Sequence, residues 1–132
     1  MTATTRRFLK FNGVGVLGIV VQLASVAVLT AFAVPVVGAT TAAVMLTVLH
    51  NFFWHRHWTW RDRRLTTEPA ALTFARFALA NGAVSLVGGV LVVWMLTTGL
   101  HTDGVIANAV AIAVCGLVNY TLGDRVVFVA RR

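Results

Sequence analysis

The sequence predicts an all-α membrane protein of four transmembrane helices, arranged as two hairpins that form a parallel repeat with both termini cytoplasmic. Three observations predict this. The 132 residues are 58% hydrophobic and only 11% charged, whereas soluble domains carry about 25% charged residues. A soluble chain this short has too little interior to hide so much apolar surface. The apolar residues fall into four charge-free runs at 13–34, 36–54, 77–98 and 104–122, each close to the roughly 20 residues a helix needs to cross a hydrocarbon core. All 11 lysines and arginines lie outside those runs.

The elements follow in order as one domain over 1–132. A basic stub with Arg6, Arg7 and Lys10 precedes the first run. Pro35, which lacks a backbone donor, separates the first run from the second. A polar segment over 55–76 holds Arg56, Arg61, Arg63, Arg64 and Arg76. The third and fourth runs are joined by "TGLHTDG" (98–104), and Arg125, Arg131 and Arg132 follow the fourth. The two short breaks contain no lysine or arginine. The positive-inside rule therefore places both termini and the 55–76 loop in the cytoplasm, in a multi-pass cytoplasmic (inner) membrane protein. With Cys115 replaced, externally applied thiol reagents should reach cysteines at Gly38 and Thr102. Labelling at position 66 in intact cells would contradict this topology.

The two halves repeat. "RFLKFNG" (7–13) matches "RFALANG" (76–82), and "HNFFWHRHWTW" (50–60) matches "VNYTLGDRVVF" (118–128). Each half starts and ends on the basic side, so the repeat is parallel, about an axis along the membrane normal. Thr40, Ala43, Thr47 and Asn51 share one helical face, and Asn108, Ala111, Cys115 and Asn119 are its copy 68 residues on. Gly15, Gly18, Gln22 and Ser25 form a similar stripe in the first run. Small and polar residues at this spacing permit close helix packing, and they also offer a polar route for a head group.

Two signals point elsewhere and fail. "GVGVLG" (13–18) fits a dinucleotide fingerprint, but no strand precedes it and the next acid is Asp62. In "LHNFFWHRHWTWRDRR" (49–64), His50, His55 and His57 suggest metal, yet no cysteine adjoins them and His55 falls on a different face from the other two. No cofactor and no metal are expected. Basic and aromatic residues mixed together can stack on bases, but this segment is pinned between apolar runs, so no nucleic-acid partner is expected. It reads instead as an interfacial belt of Trp54, Trp58 and Trp60, with Arg56, Arg61, Arg63 and Arg64 meeting anionic membrane lipids.

"NFFWHRHWTW" resembles the hairpin-ending pattern of GtrA-like membrane proteins, through Asn51, Phe52, His55, Arg56, Trp58 and Thr59, with Trp60 in place of the usual phenylalanine. "NYTLGDRVVF" is a looser copy through Asn119, Tyr120, Arg125 and Phe128, with Asp124 where the first copy has Arg56. "RFLKFNGVGVLG" also resembles the family's start. The resemblance implies translocation (flipping) of polyprenyl-phosphate-linked sugars for cell-surface polysaccharide synthesis. The alternative it implies is a membrane scaffold that recruits a glycosyltransferase.

A phosphate head group needs cations at the cytoplasmic mouth, for which Arg7, Arg56, Arg76 and Arg125 are the candidates, with Trp58 beside them. A polar route between helices has Gln22, Thr47, Asn51, Asn108 and Asn119 as candidates. Arg56 is expected to outweigh the three histidines in binding. Four helices make a thin wall around a bulky head group, so a homo-oligomer is expected. A proton-coupled exporter of the small multidrug type would need a carboxylate inside an apolar run, and all four acids lie outside them. The polar segment is too short for a catalytic domain and offers no nucleophile–base pair, so an enzyme is not expected.

Overall fold

The computed structural model describes residues 2–63 and 68–129. Arg64, Arg131 and Arg132, which the sequence assigns to the cytoplasmic face, lie outside the described residues. Among the described residues, four helices are long and apolar enough to cross a membrane: α1 (Ala3–Ala31), α2 (Val36–Thr59), α3 (Ala70–Gly99) and α4 (Gly104–Val127). Among the described residues there is no strand. The chain divides into two compact units, Met1–Arg64 and Leu65–Arg132, each a hairpin of two helices.

The helices outrun the apolar runs. The Thr2 side chain accepts from the Thr5 N–H at 3.2 Å and caps α1, so the basic stub is already helical. α2 passes Trp54 and continues through a wide π-turn, His55–Thr59. α3 starts directly after Pro69, whose fixed φ suits a helix start. The polar connection expected over 55–76 is thus helical at both ends. Loss of apolar character does not by itself end a helix; a left-handed residue or a proline does.

In the first hairpin, α1 ends in a left-handed residue, Ala33, at φ 60°. The Val34 N–H donates to the Leu29 carbonyl (3.1 Å) and the Ala33 N–H to that of Thr30 (3.0 Å), a pattern in which glycine is usual. Pro35 then prevents any continuation. The core stripe of α2 is Ala39, Ala43 and Thr47, opposite Val14 and Gly18 of α1. The stripe starts at Ala39; Thr40, which the spacing favoured, is exposed. Gly18 is buried because Asn51 lies against it, and a Cβ there would come within 2.9 Å of Asn51 Nδ2. Gly18→Ala is expected to cost about 1–3 kcal/mol, as overpacking does. Asn51→Ala in the same chain should restore most of the loss, measured as melting temperature in detergent.

The second hairpin repeats this geometry with an offset of 68 residues (Asn51 to Asn119). Its α4 stripe is Ala107, Ala111 and Cys115, and again the outer residue, Asn108, is exposed and donates to its own helix at Gly104 (2.8 Å). The wide turn recurs at Gly123–Val127, and the left-handed residue recurs as His101 at φ 51°. Trp60 and Phe128 follow the two wide turns. Their N–H groups donate to His55 and Gly123, both at 2.9 Å, and both rings are buried, at 1% and 7% exposure. The first helices differ. α1 is regular throughout, whereas α3 contains wide turns at Val84–Gly88 and Met95–Gly99.

Candidate functional site

The candidate residues of the first hairpin gather where α2 widens. The turn folds Trp60 back against α1, and three rings lock together. His55 stacks on Phe11 (centroids 4.8 Å, 11° between planes) and meets Trp60 edge-on at 5.3 Å. Phe11 meets Trp60 at 6.1 Å. His55 Nδ1 lies 3.2 Å from Thr59 Oγ1, and His55 is only 3% exposed. This corrects the belt expected from the sequence: Trp54 and Trp58 are at the surface, at 41% and 39% exposure, but Trp60 is the most enclosed large side chain of the hairpin. The histidines have separate partners. His50 Nδ1 lies 3.1 Å from Asn51 Oδ1, and His57 stacks on Phe53, its Nδ1 2.8 Å from the Phe53 carbonyl.

The basic residues around this ring cluster differ in their partners. Lys10 lies over the Trp58 ring at 5.3 Å and donates to the Trp58 carbonyl at 3.3 Å. Arg7 forms an ion pair with Asp62. Partial burial raises the Asp62 carboxyl, but the Arg7 hydrogen bond, its own backbone N–H and the charges of Arg7 and Arg63 outweigh this and hold it below the ordinary carboxylate value. The stabilisation from that shift is present at neutral pH and is lost as pH falls through the Asp62 titration. Arg56 lies on the wide turn, half-buried, with no polar partner among the described residues. Gln22 is half-buried on α1, one turn beyond Gly18.

In the second hairpin, Arg76 donates to both Glu68 oxygens, at 3.1 and 2.9 Å. Arg125 is exposed on the wide turn, where it matches His57 of the first copy, and Asp124 takes the place of Arg56. Asn119 Nδ2 donates to Ser85 Oγ at 3.1 Å, while its Oδ1 is enclosed without a partner among the described residues. Cys115 Sγ donates to the Val84 carbonyl at 3.4 Å, a group in the wide turn of α3. Asn119 thus hydrogen-bonds across its hairpin, whereas Asn51 packs against Gly18 of α1 and its hydrogen bond is to the adjacent His50.

Sequence reasoning named His55 and Trp60 but missed that both pack on Phe11, and it gave the acids Asp62 and Glu68 no role. The signal for His55 was present: the stripe Ala43, Thr47, Asn51 continues in steps of four to His55 and Thr59. The ion pairs left no such trace, since Asp62 is 55 residues from Arg7.

The fold and this arrangement define a small, multi-pass helical membrane protein built from a repeated hairpin. Its sequence matches the GtrA/DPMS transmembrane domain over residues 10–128, and the chain belongs to that family. It is also similar to a dolichol-phosphate mannosyltransferase of Pyrococcus furiosus, 34% identical over 122 residues. That match covers 91% of this chain but 33% of the relative, so the chain spans about a third of the length of the curated relative it matches.

Proposed function

We propose that this protein translocates polyprenyl-phosphate-linked sugars across the cytoplasmic membrane, acting as a carrier and not as an enzyme. The observation that carries the reading is Arg56, a half-buried arginine without a polar protein partner among the described residues. It sits where a membrane-spanning helix widens, with the exposed Trp58 two residues on. A guanidinium so placed can grip a phosphate through two parallel hydrogen bonds. Membership of the family and the name of the Pyrococcus furiosus relative supply the lipid-linked sugar as ligand class. The test is reconstitution: proteoliposomes carrying a polyprenyl-phosphate-linked sugar should move it between leaflets, measured as access of a membrane-impermeant reagent to the sugar. Transport no faster than in protein-free liposomes would overturn the reading.

A second reading has one specific observation behind it. The chain aligns with a third of a protein named for mannosyl transfer, which suits a membrane anchor that recruits a separate glycosyltransferase. Co-purification with such an enzyme, and sugar transfer that fails on deletion while lipid translocation persists, would favour the anchor.

A further inference from the structure

Two of the chain's four acidic residues pair with the two arginines that open the sequence repeat. Arg7 and Arg76 head the matching segments "RFLKFNG" and "RFALANG". Their carboxylates come from unrelated places: Asp62 lies 55 residues after Arg7, and Glu68 lies eight residues before Arg76. A clamp serving only the fold would reuse one position in both copies. What recurs is the charge on the guanidinium. Neither pair is sealed: side-chain exposures are 21% and 53% for Arg7 and Asp62, and 33% and 20% for Arg76 and Glu68. Exposed pairs of this kind are weak and exchange with solvent ions. A phosphate offers the same guanidinium more acceptor oxygens in the same geometry.

We infer that Asp62 and Glu68 are resident counter-ions on Arg7 and Arg76, each holding the place of a phosphate group, so that an anionic head group binds by exchange with a carboxylate. The inference rests on the reading of the protein as a carrier of phosphate-linked lipid, and it adds what occupies those arginines before the ligand arrives. It also predicts a direction that simple charge attraction at a fixed site does not: removing Asp62 matters only while Arg7 is present.

The experiment titrates polyprenyl monophosphate into wild-type, Asp62→Asn, Glu68→Gln, Arg7→Gln and Arg7→Gln/Asp62→Asn proteins in neutral-lipid nanodiscs, with inorganic phosphate and phosphatidylglycerol as parallel ligands. Asp62→Asn should bind polyprenyl phosphate tighter by about two- to fivefold, the range expected for releasing an exposed pair. Glu68→Gln should shift the same way, and the double variant should bind no better than Arg7→Gln. An equal gain for inorganic phosphate would support the exchange and assign it to free phosphate rather than to a lipid head group. Weaker or unchanged binding in both Asp62→Asn and Glu68→Gln would overturn the inference, as would a gain that persists without Arg7. If those results come while lipid-linked sugar is still translocated, only the counter-ion role falls. If wild-type protein neither binds nor translocates, the functional reading falls with it.

Discussion

Trp60→Ala should be the most destabilising single substitution in the first hairpin, costing about 3 kcal/mol or more, the scale for removing a buried aromatic ring. The ring is 1% exposed and packs on both Phe11 and His55, so its loss leaves a hole where the end of α2 is held to α1. His55→Ala should be the next most costly at this end, because it removes a ring that touches both of the others. Trp60→Phe should retain most of the stability, since phenylalanine already fills the equivalent place as Phe128. Trp58→Ala, at an exposed site, should cost well under 1 kcal/mol. Thermal unfolding in detergent, followed by near-ultraviolet circular dichroism, measures all four. A Trp58 variant less stable than the Trp60 variant would contradict the packing described here.

Those rings mark the boundary of what the sequence discloses. Helix number was legible because charge-free runs near 20 residues have few other solutions. The repeat was legible too, since the same residue types recur at one offset. The ends of the helices were not. Whether His55 and Thr59 extend α2 or begin a loop depends on a wide turn that hydropathy cannot register, and the fate of Trp60 follows from that turn. An interfacial tryptophan and a core tryptophan look alike in "HRHWTW"; the wide turn over His55–Thr59 decides which one faces α1. The pairing of Arg7 with Asp62 was invisible for another reason: it depends on tertiary return of the chain across a long separation. Arg56 was legible as the arginine within the repeated pattern, although the second copy places an aspartate there.

Arg56→Ala should weaken binding of a polyprenyl-phosphate-linked sugar by roughly ten- to a hundredfold, the loss expected when hydrogen bonds to a charged group worth about 1.5–3 kcal/mol are removed. Folding should be little affected, because Arg56 is only half-buried and has no polar partner among the described residues. Arg56→Lys should recover part of the affinity, since an ammonium keeps the charge but not the planar fork. His57→Ala should leave affinity within about twofold, since changes away from the contacting groups are usually worth under 0.5 kcal/mol. Titrations in nanodiscs give these ratios directly. Equal losses in Arg56→Ala and His57→Ala would show that the turn as a whole, and not the guanidinium, is what the ligand feels.

If the protein holds a phosphate-linked isoprenoid sugar, the lipid it carries out of its own membrane shows it most directly. Wild-type and Arg56→Ala proteins would be purified in mild detergent and their bound lipids identified by mass spectrometry. The wild-type protein should bring with it a polyprenyl-phosphate-linked sugar, enriched over its share of the membrane extract, and the Arg56→Ala protein should have lost most of it. Bulk phospholipids alone, in the same proportions on both proteins and in the extract, would contradict the account.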